Sequence, residues 1–329
     1  MENLHFSLVI PTRDRLDDLV ELFYTILDQS WTPYEVIVVD DSPVESAKQV
    51  VNKFCSRFKS IRCELKYING KGQGLSAARN AGIRVSTGDV ILFLDDDTLL
   101  GQTVIETLTK FLKDNSNAIG VQPKIIASSA NSKENVFRKF KEAFYKVLML
   151  TFREKDRFAV RRSGQSVFPS EITKVIPAQR LSGCSCWRRE IFTQQLYDTN
   201  LKRWAFMEDL DFSYRAYKKN PRSLFVTPNA TIIHKTSMEA RLENETVVYM
   251  VTIYWFYIFF KDFFQASILN LMAFLWALTG NLFVTVSELI IKRRNKWQHL
   301  IYLLRSYAIA CKNLKNIRMG KLDFFNNSL

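Results

Sequence analysis

Three consecutive carboxylates, Asp95, Asp96 and Asp97, follow a short apolar run at residues 90–94. Such a run predicts a buried strand, so the aspartates should lie where a strand ends and its loop begins. Like charges this close repel one another unless a cation neutralises them. Mg²⁺ and Mn²⁺ prefer oxygen ligands of this kind and leave positions for substrate phosphates. The cluster therefore indicates a metal–phosphate site, although a solvated acidic turn would have the same composition.

A second acidic pair, Asp40 and Asp41, follows the apolar run at residues 36–39 in the same way. In open α/β sheets, ligands bind outside the carboxyl ends of the strands. The glycine-rich stretch at residues 70–74 lacks the spacing of a dinucleotide-binding loop and does not follow the first strand. Its glycines would let the backbone pass close to a ligand, and an ordinary flexible turn is the alternative.

Two further candidate sites lie in the second half of the chain. Glu208 and Asp209 begin a predicted helix that runs to Lys219. The helix dipole favours carboxylates in a first turn, which allows a capping role, and it keeps a carboxylate ionised, which suits a general base. His234 ends an apolar strand, where a histidine is more often a hydrogen-bonded core residue than a metal ligand.

The elements that must position these residues alternate between strand and helix over the first part of the chain. Apolar runs of strand length are followed by stretches in which apolar residues recur with helical spacing. Repeated β-α-β units of this kind predict a doubly wound, mostly parallel α/β sheet with helices on both faces. The predicted strands are residues 6–10, 36–39, 65–68, 90–94 and 121–126.

The charge of the chain is strongly positive. Its net value is +13, from 46 Lys and Arg against 33 Asp and Glu, and such an excess favours a polyanionic partner. Residues 289–321 contain nine basic side chains and no acidic one, directly after the longest apolar stretch. That order indicates a membrane surface, and since no nucleic-acid-binding module is recognisable, we expect no nucleic-acid partner.

The apolar C-terminal region bears on the expected location. Residues 268–286 are about long enough to span a bilayer, and their polar interruptions also permit a helix or hairpin lying in the interface. We expect interfacial or hairpin attachment at the cytoplasmic face, because the N-terminus has no secretory leader pattern and the five scattered cysteines suit a reducing compartment. A buried soluble helical subdomain is the alternative.

Residues 153–174 form a polar and basic segment between the two halves of the chain. Such a segment could cover substrate phosphates as a mobile flap, or it could be a solvated linker.

Five motifs occur in the order and approximate spacing seen in the family 2 glycosyltransferases, which are inverting enzymes of the GT-A fold. The motifs are Ile-Pro-Thr at 10–12, Val-Asp-Asp-Ser at 39–42, Ala-Arg-Asn-Ala-Gly at 78–82, Leu-Asp-Asp-Asp at 94–97 and Glu-Asp at 208–209. The region after Lys261 also resembles the membrane-associated C-termini of bacterial and archaeal members that build surface glycans. We therefore expect a nucleotide-sugar-binding half at 1–126, an acceptor-binding half with the catalytic base at 127–245, and a membrane-associated helical region at 246–329.

The resemblance implies a nucleotide-sugar site at the first two strands. Asp41 is similar to the carboxylate that accepts a hydrogen bond from the nucleotide base, and Pro11 and Thr12 would line that pocket. Arg79 resembles the arginine beside the nucleotide. Pro43 follows the acidic pair and restricts how its loop can fold over the base, which leaves the shape of the pocket open.

The resemblance also implies a metal site and a general base. Asp97 corresponds to the metal-binding acid of the Asp-x-Asp motif, and Asp95 and Asp96 would hold the ribose or tune the metal. His234 resembles the histidine that completes the metal shell in many GT-A enzymes, which makes a ligand role as plausible as a core role. Asp209 resembles the catalytic base.

These implied roles predict one reaction. A sugar would move from a nucleotide-diphosphate donor to a hydroxyl of a glycan acceptor, which we expect to be lipid-linked, in one metal-dependent displacement that uses Mn²⁺ or Mg²⁺. The alternatives are a polyprenyl-phosphate sugar synthase, which differs in its acceptor, and a non-catalytic nucleotide-sugar-binding scaffold subunit of a membrane glycan complex.

Overall fold

The structure is a computed structural model that describes residues 4–127, 136–235, 244–292 and 297–327. These residues form two compact units. The first unit comprises the described residues up to 127 together with 172–204 and 208–235, and the second comprises the remainder. Part of the basic stretch, residues 293–296, lies outside the described residues. The domain boundaries expected from the sequence stay a prediction.

The elements are numbered here in chain order. The strands are β1 (Phe6–Thr12), β2 (Glu35–Asp40), β3 (Glu64–Asn69), β4 (Val90–Phe93), β5 (Thr98–Leu100), β6 (Gly120–Ala127), β7 (Phe152–Glu154), β8 (Ala159–Val160), β9 (Ser166–Pro169), β10 (Ile176–Pro177), β11 (Cys186–Arg188) and β12 (Leu224–His234). The helices are α1 (Leu16–Leu27), α2 (Ala47–Ser60), α3 (Leu75–Val85), α4 (Val104–Asp114), α5 (Val136–Val147), α6 (Ile191–Gln194), α7 (Glu208–Lys219), α8 (Asn244–Ile258), α9 (Ile268–Lys292), α10 (Trp297–Lys312), α11 (Leu314–Arg318) and α12 (Asp323–Asn326), with a π-helical turn at Phe259–Phe263.

The first unit is built on a nine-stranded sheet. Its strand order is β10-β12-β6-β11-β4-β1-β2-β3, and β5 pairs with β12. β1 runs parallel to β2 and β4, β2 to β3, and β6 to β12, whereas β5, β10 and β11 are antiparallel to their neighbours. The predicted mostly parallel α/β sheet is confirmed. The antiparallel β11, which lies between β4 and β6, was not predicted from the sequence.

The hydrophobic core lies between the sheet and its helices. Every residue of β1 and β2 is buried, as expected for parallel strands covered on both faces. From α1, Phe23 packs edge-on against Phe54 and Phe58 of α2 at ring-centroid distances of 5.2 Å. Helix α3 approaches the sheet so closely that a Cβ at Gly82 would collide with the side chain of Val9.

The strand register brings the polar strand ends to one edge. Thr12 at the end of β1 is paired with Asp40 at the end of β2, and Asp40 is paired with Asn69 of β3. On the other side of β1, Val9 pairs with Phe93, the last residue of β4. Since parallel strands end at the same edge of a sheet, both acidic motifs lie there.

The second unit combines a small sheet with helices. The sheet has the strand order β7-β9-β8. Its helical part is rich in aromatic contacts: Phe259 of the π-helical turn stacks on Phe274 of α9 at 4.0 Å, and Trp255 of α8 meets Phe274 edge-on. The indole of Trp255 also donates a hydrogen bond to the Ser163 carbonyl at 2.8 Å. Among the described residues, α9 is the helix that is long and apolar enough to cross a membrane.

Candidate active site

Asp41 lies directly after β2 and is nearly buried. Its Oδ2 accepts a hydrogen bond from the backbone N–H of Gly74 at 3.0 Å and lies 3.6 Å from a guanidinium nitrogen of Arg13. Its Oδ1 is buried and makes no hydrogen bond with any described residue. Burial raises the pKa of Asp41, against the hydrogen bond from Gly74. A buried acceptor without a partner costs free energy until a donor arrives, so this oxygen is suited to a ligand N–H.

Gly74 is required at its position. Its φ of 92° lies in the left-handed region, and a Cβ there would lie 2.6 Å from the backbone nitrogen of Arg203. The glycine-rich stretch therefore brings backbone close to Asp41, while the close approach to a ligand stays a prediction. Pro11 and Thr12 end β1 beside the loop that follows β2. The Thr12 carbonyl accepts a hydrogen bond from the backbone N–H of Asp41 in that loop, at 2.9 Å.

Asp40 and Asp41 have different environments although they are adjacent. Asp40 accepts hydrogen bonds from the backbone N–H groups of Ser42 and Ala47, at 3.1 and 2.9 Å, and from the hydroxyl of Tyr67 at 3.2 Å. Since Ala47 begins α2, Asp40 acts as a cap for that helix. Of the second acidic pair, only Asp41 has an oxygen placed for a ligand.

The three aspartates after β4 also have different partners although they are adjacent. Asp96 is buried, and its carboxylate accepts hydrogen bonds from Thr12 Oγ1 at 2.9 Å and from Arg15 Nη1 at 3.1 Å. Burial raises the pKa of Asp96 to about 7, against the effect of Arg15. Asp96 thus joins the loop after β4 to the loop after β1.

Asp95 and Asp97 face His234, which ends β12. The Nε2 atom of His234 lies 3.5 Å from Asp95 and 3.4 Å from Asp97. The hydrogen bond to Asp95 raises the pKa of His234, against the effect of burial. Although burial acts in the opposite direction, His234 and then Arg79 hold the pKa of Asp95 well below its usual range. The imidazole therefore favours its charged form between two carboxylates.

This donor set fits Mn²⁺ or Mg²⁺ in its chemistry, since two carboxylates supply oxygen and the imidazole supplies the nitrogen that Mn²⁺ also accepts. As the side chains lie, however, the described residues contain no group of three or more His, Cys, Asp or Glu that could hold a metal ion. A charged histidine has no lone pair for a metal, so His234 must lose its proton before it can act as a ligand.

Arg79 of α3 is completely buried and connects the metal-site candidates to α7. Its guanidinium lies 3.1 Å from Asp95 and contacts Glu208, and it also lies over the rings of Phe93 and Tyr197. Burial opposes the charge of Arg79, but Glu208 raises its pKa above the usual value. Burial in turn raises the pKa of Glu208, which has one oxygen that makes no hydrogen bond with any described residue.

Asp209 lies in the first turn of α7, next to Glu208, and its side chain is 24% exposed. Its Oδ2 accepts a hydrogen bond from Arg180 at 2.5 Å. Its sequence neighbour Glu208, and not Asp209 itself, is the residue that contacts Arg79. The sequence singled out neither Arg15 nor Arg180, because no local motif marks them. Arg15 lies 81 residues from Asp96 in the sequence, and Arg180 lies 29 residues from Asp209.

All the residues selected from the sequence lie in the first unit. A single chain of contacts joins most of them, in the order Glu208, Arg79, Asp95, His234, Asp97, Arg15, Asp96 and Thr12, and Asp209 follows Glu208 in the sequence. Asp41 and Pro11 lie beside this chain at the ends of β1 and β2. From Glu208 to Asp96, acidic and basic groups alternate along it, which is typical of a site that binds a charged ligand.

One known protein family matches the part of the chain that carries both acidic strand ends. Residues 7–170 match glycosyl transferase family 2. This part of the chain belongs to that family. The predicted resemblance is confirmed, and the sheet has the GT-A architecture. The match includes both acidic strand ends and Arg79.

Curated glycosyltransferases are similar to this chain in sequence over part of their length. An uncharacterised glycosyltransferase of Rickettsia bellii is 34% identical over 110 residues, which are 33% of this chain and 15% of the relative. A glucosyl-dolichyl phosphate glucuronosyltransferase of Haloferax volcanii is 28% identical over 141 residues, which are 42% of this chain and 43% of the relative. The chain thus spans less than half of the length of each.

A solved structure has the same fold along nearly the whole chain. The crystal structure of S. aureus TarS 1–349 has a TM-score of 0.55 and 15% sequence identity, and the match covers 98% of this chain and 92% of TarS. A complex of the same protein with UDP has a TM-score of 0.53. At this identity the similarity concerns the fold.

Proposed function

We propose that this protein is an inverting glycosyltransferase that moves a sugar from a nucleotide diphosphate to a hydroxyl of a lipid-linked glycan. The observation that supports it best is the chain of contacts from Glu208, the neighbour of Asp209 in the sequence, to Asp97 at the carboxyl edge of the sheet. This supports a base and a metal site that act on one substrate, because the network that holds the candidate metal ligands reaches the residue next to Asp209, and the family match of residues 7–170 favours transferase chemistry there.

The nucleotide would bind at the ends of β1 and β2. Asp41 Oδ1, which is buried and makes no hydrogen bond with any described residue, would accept an N–H of the base, while Pro11 and Thr12 line the pocket. The complex of TarS with UDP shows that a protein of this fold binds such a nucleotide. Arg79 is buried behind Asp95, so its contribution to donor binding would be to hold that carboxylate in place.

The diphosphate would bind near Asp95, Asp97 and His234. Mn²⁺ or Mg²⁺ held by Asp97 and His234, with Asp95 beside them, would neutralise the negative charge that develops on the leaving diphosphate. His234 would serve as a ligand only in its neutral form, whose ring nitrogen has a free lone pair.

Asp209 would act as the general base. The acceptor hydroxyl oxygen forms a bond to the anomeric carbon as the bond to the diphosphate oxygen breaks, and the diphosphate leaves with the bonding electrons. The hydroxyl proton moves to the Asp209 carboxylate. Because the attack comes from the face opposite the leaving group, a single displacement inverts the anomeric configuration. Arg180, which is bound to Asp209 in this structure, would have to give up that contact for the acceptor.

The acceptor and the location are inferred from the second unit. Its apolar helix α9 and the basic residues near the C-terminus favour a lipid-linked acceptor at the cytoplasmic face of the membrane. The name of the Haloferax relative, which describes transfer to a glucosyl-dolichyl phosphate, supports an acceptor of this class.

The decisive experiment is donor binding. The purified full chain would be titrated with UDP-, GDP- and dTDP-sugars in the presence of Mn²⁺ and then of EDTA. We expect one donor class to bind only with the metal, Asp97→Ala to abolish that binding, and Asp89→Ala, which removes an exposed carboxylate of the same unit, to leave it unchanged. Failure of the folded protein to bind any donor would contradict the proposal.

A further inference from the structure

The exposed face of α9 is almost entirely apolar. Its exposed residues up to position 290 include one hydroxyl and no charge; they are Ile268, Leu269, Met272, Leu275, Trp276, Thr279, Phe283, Val286 and Ile290. At about 100° per residue, these positions fall within roughly a third of the helix circumference. We call this surface the α9 stripe. An apolar surface of this length is rare on a protein that contacts only water.

The opposite face of α9 packs within the second unit. Phe274 stacks on Phe259, and Ala277 is buried. Asn281 donates a hydrogen bond to the hydroxyl of Tyr307 on α10 at 3.2 Å. A helix held along one face by other elements offers lipid only its opposite face, which suits a helix that lies in the plane of the interface.

Trp276 lies near the middle of the α9 stripe. Its ring is half exposed, and its indole N–H donates to the Val147 carbonyl at the end of α5, at 2.9 Å. Tryptophan favours the boundary between lipid and water. If α9 crossed the bilayer, Trp276 would lie deep in the hydrocarbon, whereas it lies at that boundary if the helix lies parallel to the membrane plane.

A cationic pocket lies at the N-terminal end of the stripe. The cavity has a volume of about 300 Å³, and Lys146, Arg157, Arg161 and Arg162 line it together with apolar side chains. Arg162 donates a hydrogen bond to the Asn270 side chain in the first turn of α9, at 3.2 Å. The polar segment that the sequence left as a flap or a linker thus supplies three of the four cations.

The charges of this pocket are only partly compensated. Glu154 pairs with Lys146 at 3.0 Å and with Arg157 at 2.7 Å. Arg161 instead donates to the carbonyls of Lys146 and Leu150, which fixes the end of α5. Among the described residues, these four cations outnumber the one carboxylate that pairs with them, which leaves a local positive charge that complements a phosphate.

We propose that the second unit docks on an anionic phospholipid surface, with the α9 stripe lying in the interface and the cationic pocket holding a lipid phosphate headgroup. This inference rests on the membrane location in the proposed function and specifies its geometry. Apolar contact and headgroup charge then act together, as stable attachment to a membrane surface requires.

The test is flotation of the full chain with vesicles of phosphatidylcholine, with and without phosphatidylglycerol. We expect binding to the anionic vesicles, weakened by salt, and release of the bound protein by alkaline carbonate. The double substitution Met272→Asp with Leu275→Asp should reduce binding about ten-fold or more, whereas Val85→Asp, at an exposed apolar residue of the first unit, should leave it unchanged.

Substitutions of Arg162, whose side chain is exposed, test whether the pocket holds a lipid headgroup. Arg162→Gln should weaken binding to anionic vesicles about five-fold, the effect of one cation near such a surface, and Arg162→Lys should restore it. Equal binding to both vesicle types, an unaffected stripe variant or resistance to carbonate would each overturn the proposal. Donor binding measured on the same samples keeps the two proposals separate: its loss with docking retained would contradict the transferase alone, and the converse would contradict the docking surface alone.

Discussion

Replacing Glu35 by glutamine should destabilise the first unit at neutral pH and by a smaller amount at pH 4. Glu35 begins β2 and its side chain is fully buried. It accepts hydrogen bonds from Ser7 Oγ at 2.6 Å and from the backbone N–H of Thr87 at 2.6 Å, and it pairs with Lys66 at 2.5 Å. Burial raises the pKa of Glu35, but these bonds together lower it from 4.5 to about 2.

The magnitude follows from linkage. A carboxyl group whose pKa falls from 4.5 to about 2 on folding stabilises the folded state by about 3 kcal/mol above the unfolded pKa. Since the folded pKa is the lower one, this contribution is lost as the pH falls, and about 0.8 kcal/mol of it is gone at pH 4. For a unit of this size, Glu35→Gln should lower the melting temperature by about 6–12 °C at pH 7.

The assay is denaturant unfolding of the wild type and Glu35→Gln between pH 7 and pH 4. The matched control is Glu64→Gln, because Glu64 also pairs with Lys66, at 3.2 Å, but its side chain is 63% exposed; an exposed pair of this kind contributes about 0–1 kcal/mol. A difference in the free energy of unfolding between wild type and Glu35→Gln that is below 1 kcal/mol, or that does not become smaller as the pH falls, would contradict this role of Glu35.

Three further substitutions test packing and the site. Gly82→Ala should cost about 1–3 kcal/mol, because its Cβ would collide with Val9; calorimetry that shows wild-type stability would contradict this. Gly183→Ala should weaken metal-dependent donor binding, because its Cβ would lie 2.6 Å from Arg79 Nη2; unchanged affinity in a titration would show that Arg79 can move freely. Asp209→Asn should retain donor binding and lower kcat by about 10²–10⁴, and an unchanged kcat would exclude it as the base.

Much of the fold could be read from local patterns. The strands β1 to β4 and β6 were predicted to within a few residues, because short apolar runs report burial on both faces whatever their partners are. The acidic triplet after β4 was placed at a strand end for the same reason. Family membership also followed from the order of short motifs, which requires no knowledge of contacts.

The pairing of strands and the contacts of the site residues depend on the tertiary structure. The antiparallel β11 contacts strands that lie far from it in the sequence, so no local pattern predicts its direction. The partners of the adjacent aspartates also depend on distant segments: Asp96 contacts Arg15, whereas Asp95 and Asp97 face His234.

For α9, the sequence determined only that a long apolar helix exists. Which of its faces remains exposed depends on Phe259, Tyr307 and the other groups that pack against it. Composition and period belong to one segment of chain and can be read directly. An ion pair, a buried acceptor or an exposed stripe is a relation between distant segments, and it comes into existence only when the chain folds.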